Sequence, residues 1–213
     1  MEFEKVIRKL EIALKEPLPG RSGQITMAPV PVDESRFVEN IRTDHRKGAV
    51  LMLFYPDLKN QTFIPFIKRP TYPGVHSGQI AFPGGKMEET DRDLSMTALR
   101  ETEEEIGVDA SKVELLGKLS DLYIPPSNFM VSPYVGFTLE KPQFQAQPEE
   151  VARIINCELS RILDKQSRKK GIVHGSGGYR LEAPYFDIES EMVWGATAMM
   201  LGEFTYLWDK LDF

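Results

Sequence analysis

The chain passes a glycine pair, Gly84-Gly85, and within fifteen positions reaches Arg100-Glu101-Thr102-Glu103-Glu104-Glu105-Ile106-Gly107. Residues Leu94–Ile106 read as a helix, with Gly107 as its C-terminal stop. At 3.6 residues per turn, Glu101, Glu104 and Glu105 fall within an arc of about 100°. Glu103 points elsewhere, and Ala98, Leu99, Thr102 and Ile106 form the packing side. Like charges at i,i+3 and i,i+4 cost about 0.2–0.5 kcal/mol per pair when nothing neutralises them. Two readings fit that helix alone: a solvated acidic face, or a carboxylate ridge that holds a cation. Hard oxygen donors of this kind favour Mg²⁺ or Mn²⁺.

Composition narrows the class of molecule around this helix. The chain has 213 residues, enough for one domain with a sizeable core. Its formal net charge of −6 argues against general binding to nucleic acid or an anionic membrane. An anionic small molecule is still admissible, because bound cations invert the local field. One cysteine, Cys157, rules out an intrachain disulfide framework and fits a reducing compartment. The opening residues lack the apolar run of a signal peptide. No stretch of about 18 apolar residues is present either. Cytoplasmic location is the expectation.

The periodicity predicts a set of strands and two main helices. Residues 2–15 form an amphipathic helix through Val6, Ile7, Leu10, Ile12 and Leu14, stopped by Pro17-Leu18-Pro19-Gly20. An extended lead-in follows, so residues 1–44 are read as an N-terminal helix with its connection and 45–213 as the main domain. That helix either packs on the core or mediates a homodimer. Strands are expected at Ala49–Tyr55, Thr62–Lys68, Gln79–Phe82, Val113–Leu116, Leu119–Tyr123, Val131–Leu139 and Val151–Cys157. Leu159–Leu163 reads as a short helix and Lys165–Lys170 as a basic patch that solvates a turn or meets a phosphate. Gly171–His174 and Tyr179–Phe186 flank Ser176-Gly177-Gly178 like a hairpin. A buried helix from Trp194 closes the chain. Strands gathered around two main helices predict an α+β fold with a mixed sheet.

The glycine turn with Arg-Glu-x-x-Glu-Glu-x-Gly resembles the Nudix box, the signature of hydrolases acting on nucleoside diphosphates linked to another group. Arg100 lies one position further from the glycines than is usual, Asp91 stands where a glutamate is common, and Thr102 replaces an aliphatic residue. These departures resemble the coenzyme A diphosphatase branch, as does Thr97-Ala-Leu-Arg-Glu101. So do Phe66-Ile67-Lys68-Arg69 and, after a loop, His76-Ser77-Gly78-Gln79-Ile80-Ala81-Phe82-Pro83-Gly84-Gly85. Tyr123-Ile-Pro-Pro-Ser127, Pro133-Tyr-Val-Gly136 and Trp194-Gly-Ala-Thr-Ala198 extend the similarity across about residues 45–204. The resemblance implies a Nudix-type α/β/α sandwich with a mixed β-sheet. It also implies metal-dependent cleavage of coenzyme A or its derivatives into 4′-phosphopantetheine, free or acylated, and adenosine 3′,5′-bisphosphate.

Candidate roles follow from splitting an anhydride buried in negative charge, which calls for divalent cations and a water nucleophile. Glu101 and Glu105 are the first metal ligands, and Glu104 is a third ligand or the base. The resemblance adds the Gly85 carbonyl as a ligand, since glycine admits close backbone approach. Arg100 is expected to pair with a box carboxylate and orient it. Asp91 caps the helix start or pairs with Arg100. Glu150, following Pro148-Glu149, is a late-loop carboxylate over the metals or an exposed turn residue. Arg69 suits a phosphate, whereas His76, Gly78 and Gln79 either touch substrate or satisfy loop amides. Phe82, Tyr123, Phe129 and Trp194 stack on a base or fill the core, and Cys157 is an inert buried thiol. The main rival is a Nudix enzyme acting on ADP-ribose, a nucleotide sugar or a dinucleotide polyphosphate. A non-catalytic nucleotide-binding module is the rival from another class, although all three box glutamates survive here.

Overall fold

The computed structural model describes residues 1–37, 43–174 and 180–211. Its organising element is β1 (Arg46–Pro56), whose run of apolar residues demands cover on both faces. Ala49, Leu51, Met52, Leu53 and Phe54 are all fully buried. β1 pairs in parallel with β7 (Phe129–Phe137), in register from Arg46↔Phe129 to Phe54↔Phe137. Its other edge is shared. The start of β1 pairs antiparallel with β4 (Gly84–Lys86), and its end with β2 (Thr62–Lys68). β2 carries β3 (Ile80–Ala81) and β8 (Arg153–Glu158), while β7 carries β5 (Glu114–Lys118) and β6 (Leu122–Ile124). The result is a mixed sheet of eight strands. A second, antiparallel sheet has β10 (Arg180–Ile188) between β9 (Arg168–His174) and β11 (Glu191–Val193).

Alternation along β1 sorts its side chains into two cores, because successive residues of a strand face opposite sides. Ala49, Leu51 and Leu53 pack with Ile67, Val151 and the inner face of α3 (Leu94–Ile106), represented by Ala98 and Ile106. Met52 and Phe54 join Ile64, Phe66 and Phe82 on the other side, beneath α1 (Phe3–Ala13) and α5 (Gly195–Asp209), with the short α4 (Leu159–Leu163) in the same core. Helices thus cover both faces, giving the expected α+β sandwich. α1 belongs to this core: Phe3, Val6, Leu10 and Ala13 are buried in it, and Phe3 meets Phe137 edge-on at 6.1 Å. Lys9 donates to the Leu211 carbonyl at 2.8 Å and lies over the Trp208 ring. No helix among the described residues is long and apolar enough to cross a membrane.

Several elements depart from the sequence reading. The Lys165–Lys170 stretch is not a turn throughout, since β9 starts at Arg168. Tyr185↔Lys169 pairing and the Lys169–Asp187 ion pair hold it in the ladder. β7 ends at Phe137, and Leu139 is exposed in the following turn. The strand expected at Leu119–Tyr123 is the shorter β6, because Leu119 still follows β5 and bonds to the Pro133 carbonyl. The helix α3 is capped by Asp93, whose carboxylate accepts from the Ser95 and Met96 amides, and of the two roles read for Asp91 the structure shows the pairing with Arg100. The hairpin tip at Ser176-Gly177-Gly178, with Tyr179, lies outside the described residues.

One buried charge escaped the sequence reading altogether. Glu203 sits fully buried on α5 and accepts three hydrogen bonds: from the Gly20 and Ser120 amides, each at 3.1 Å, and from Gln24 Nε2 at 2.9 Å. It ties α2 (Arg21–Gln24) and the Ser120 loop to the closing helix. Gly23 makes this possible, since a Cβ there would stand 2.6 Å from the Glu203 Cα.

Candidate active site

The site is assembled where β4 meets α3. Gly84 has a φ of 148°, and any side chain on it would strike the backbone of Ala49 and Val50. With glycine there, its amide donates to Glu105 Oε2 at 2.8 Å. Gly85 is constrained by a side chain instead, because a Cβ there would fall inside the Glu101 carboxylate and displace it. Its carbonyl lies against Gly48 on β1. The glycine pair therefore lets two helix carboxylates come down onto bare backbone.

A third carboxylate arrives from a distant loop. The chain after β7 runs back along the end of α3, with the Gln145 amide bonded to the Ile106 carbonyl and the Gln147 amide to that of Glu105, each at 2.9 Å. It then turns through Pro148-Glu149-Glu150, and Val151 drops into the core. That path carries Glu150 to the site: oxygens of Glu101, Glu105 and Glu150 lie within 4.8 Å of one another. Glu150 is exposed, Glu101 half-buried and Glu105 buried.

Glu104 stands apart from this trio. Its carboxylate accepts from Arg100 Nη1 at 2.9 Å and is more than half exposed. Arg100 is the hub of an ion-pair network. It grips Asp91 side-on, with Nε and Nη2 each 3.0 Å from one carboxylate oxygen, and Nη1 lies 3.1 Å from Glu101. Its Nη2 also donates to the Lys86 carbonyl. Asp91 is buried and takes two more hydrogen bonds, from the Glu88 amide and Thr97 Oγ1. Its pKa is held far below the usual carboxylate range, first by the Arg100 hydrogen bond.

Opposite influences act on the trio. Burial pushes Glu105 up to about 8; Glu101 and Glu150 add to the rise, while the Gly84 amide and Arg69 oppose it. Glu101 is raised as well, again by burial, with Arg100 pulling it down. Two acids that resist ionisation, packed against a third, form a site that a hard divalent cation would relieve. The donor set, three carboxylates beside glycine backbone, fits Mg²⁺ or Mn²⁺.

The carboxylates form one wall of a cleft of about 400 Å³. Arg46, Arg69 and Lys86 also line it, so cations rim the acidic floor. Arg69 lies one step beyond the β2–β3 ladder, its amide bonded to the Gln79 carbonyl at 3.0 Å. Among the described residues its buried Nε finds no acceptor. Gly78, at a φ of 68°, turns the loop and bonds to the Pro70 carbonyl. His76 adopts a φ of 64°, uncommon outside glycine. Its Nδ1 meets Gln79 Oε1 at 3.0 Å, and both line the cleft.

The aromatics divide. Phe82 is core, stacked on Phe66 at 5.0 Å, while Phe129 lines the cleft beneath the Arg46 guanidinium. Tyr123 is buried, its hydroxyl on Asn128. Cys157 is buried in β8, its thiol pushed up to about 12. Arg46 was not singled out in the sequence, since a basic residue opening a strand carries no signal of its own. The side chain of His174 lies outside the described residues.

A carboxylate trio suited to a divalent cation, in a cleft also lined by Arg46, Arg69 and Lys86 on an α+β sandwich, defines a site for an anionic ligand, and similarity to known proteins supplies the family. The family model described as NUDIX domain matches residues 45–172. The chain belongs to the Nudix family. It is 37% identical over 158 residues to the uncharacterized Nudix hydrolase NudL of Yersinia pestis, covering 74% of this chain and 77% of that one. It is 32% identical over 184 residues to the mitochondrial Nudix hydrolase 15 of Arabidopsis thaliana, covering 84% of this chain and 62% of that longer protein. In structure it is similar to RenU, a Nudix hydrolase from M. smegmatis, with a TM-score of 0.54 over 79% of this chain and 89% of that one at 11% identity. That last likeness concerns the fold alone.

Proposed function

We propose that the protein is a divalent-metal-dependent hydrolase of the pyrophosphate in coenzyme A or its derivatives, yielding 4′-phosphopantetheine, free or acylated, and adenosine 3′,5′-bisphosphate. The observation that carries the hydrolytic reading is the convergence of Glu101, Glu105 and Glu150 within 4.8 Å at the edge of a cation-rimmed cleft. Mg²⁺ or Mn²⁺ held there would neutralise charge at the phosphates and make a water more acidic. Glu101 and Glu105, fixed by helix and glycine turn, would hold it. Glu150 is the exposed member on a loop and accepts the proton as water oxygen attacks phosphorus and the anhydride P–O bond breaks. Arg100 acts as a positioning residue, holding Glu101 against Asp91 and Gly85. Glu104, drawn off to Arg100, serves the network and not the water. Arg69, with its unmatched Nε, receives a phosphate oxygen.

The coenzyme A assignment is supported by the branch-like segments at Phe66–Arg69, His76–Gly85, Tyr123–Ser127 and Trp194–Ala198. Incubation with coenzyme A and Mg²⁺ or Mn²⁺, followed by mass analysis, should yield the two named products. A panel including ADP-ribose, a nucleotide sugar and a dinucleotide polyphosphate is run in parallel. Stronger turnover of any of these would overturn the coenzyme A assignment and leave the hydrolase. Tight nucleotide binding with no hydrolysis of any panel member would overturn the hydrolase itself.

A further inference from the structure

A second cavity, of about 510 Å³, opens beside the carboxylate cleft. The two share Val75, His76, Gln79, Ile124 and Ala196 in their linings, so the His76–Gln79 pair stands on their common wall. A ligand whose anhydride lies over the carboxylates can extend past that pair without leaving the protein. Three separate parts of the chain build the far end. The lead-in Pro29–Pro31 is fastened to β10 by the Val30 amide on the Glu182 carbonyl at 2.9 Å. Arg36 follows on a short helical turn, and Arg180 opens β10. Trp194 and Gly195 contribute the start of α5.

The chemistry of this lining is selective. Pro29, Pro31, Pro126, Leu181 and Trp194 offer flat apolar surface, which suits an aromatic base. Arg36 and Arg180 add two guanidiniums, with Asp33 as the acidic lining residue. Arg36 is half-buried and reaches the Tyr123 carbonyl at 3.4 Å, a long contact. Burial pulls its pKa down, against the influence of Asp33, so an added anion would be welcome there. An apolar, uncharged arm such as a pantetheine chain has no use for two guanidiniums. A phosphorylated nucleoside uses both them and the apolar wall. The basic stretch Lys165–Lys170 lines neither cavity; Lys169 is paired with Asp187.

We infer that the second cavity is a specificity subsite for a nucleoside carrying a phosphate beyond the scissile anhydride, with Arg36 and Arg180 receiving that phosphate and Trp194 flanking the base. The inference rests on the coenzyme A reading, in which the 3′-phosphoadenosine is that arm, and deepens it. Its test compares coenzyme A with dephospho-coenzyme A, which keeps the anhydride and the base and lacks the outer phosphate. The wild type should favour coenzyme A in kcat/KM by tenfold or more, since a charge-assisted hydrogen bond is worth about ten- to a hundredfold. Arg36→Gln and Arg180→Gln should each lower that ratio by about tenfold, acting mainly through KM. Arg180 is exposed, so its variant keeps the test open even where Arg36→Gln fails to fold. Adenosine 3′,5′-bisphosphate should also bind more tightly than AMP in a metal-free titration, and lose that advantage in Arg180→Gln. Hydrolysis of both substrates at equal kcat/KM, or an unchanged ratio in both variants, overturns the subsite and leaves the coenzyme A reading standing. Absence of coenzyme A hydrolysis overturns that reading first, and the subsite with it.

Discussion

Replacing Glu105 by glutamine should stabilise the metal-free protein while destroying its activity. The side chain is 3% exposed, and burial moves its pKa from 4.5 to about 8. The sign follows from linkage: an acid whose folded pKa is raised favours folding least once the unfolded chain can ionise freely. Stability is therefore full below about pH 4.5 and drains away as pH climbs toward 8. At about 1.36 kcal/mol per pH unit, the loss reaches roughly 3 kcal/mol by pH 7. Glutamine keeps an acceptor for the Gly84 amide and never ionises. For a chain of this size, about 2–4 °C per kcal/mol applies. Glu105→Gln in EDTA should thus melt roughly 6–12 °C above wild type at pH 7, and at the same temperature near pH 4. Adding Mg²⁺ should raise the wild type and leave the variant nearly unmoved. A variant that melts lower than wild type at pH 7 in EDTA would refute the reasoning. It would mean that the Gly84 amide and Arg69 outweigh burial, so that the ionised carboxylate is already well served without a cation.

Gly85→Ala should drive the Glu101 carboxylate off the turn, lowering kcat by about a hundredfold and weakening Mg²⁺ activation, seen in a metal titration of initial rates. Asp91→Asn should cost stability at pH 7, and the deficit should begin to shrink only below about pH 4 and close as pH falls through the depressed folded pKa, because such a carboxylate gives its full stability above the unfolded value and loses it on the way down to the folded one; urea titrations at pH 7 and in steps below pH 4 check this. Glu203→Ala leaves the Gly20 and Ser120 amides and Gln24 without their acceptor, so urea unfolding should show a loss of about 3 kcal/mol or more.

How much of this was readable without coordinates depends on how local each signal is. The acidic helix was legible to the residue, Leu94–Ile106 with Gly107 beyond it, because apolar period and stop signal sit in one window. The central strand was legible for the same reason. The carboxylate cluster was legible only as four candidates, Glu101, Glu104, Glu105 and, by resemblance, Glu150, without a way to tell which three converge. Helical angle puts Glu101, Glu104 and Glu105 on one face, but angle says nothing of which neighbour each finds. Arg100, at i−4 from Glu104, turns that residue outward. Glu150 fills the place from 45 residues downstream of Glu105, brought by two backbone hydrogen bonds that no composition reveals. Glu203 was invisible for the complementary reason: its partners lie up to 183 positions away, on glycine and serine amides that any sequence could supply.

The same geometry explains why the glycine pair and the arginine must be considered together. A carboxylate resting on bare backbone at Gly85 has lost much of its water, and nothing in a glycine returns that loss. Arg100 partly does, yet it is already committed to Asp91, which is more deeply buried and takes the side-on grip. Glu101 receives only an edge of the guanidinium, at 3.1 Å, and its pKa stays raised. Full pairing with Arg100 would have satisfied the acid and left nothing for a cation. Partial pairing orients it and leaves its charge under-compensated. Converting Asp91 to asparagine should therefore release Arg100 toward Glu101 and Glu104, and weaken Mg²⁺ activation even where the fold is held. Asp91→Asn with an unchanged Mg²⁺ requirement would show that the division of Arg100 between partners has no bearing on the site.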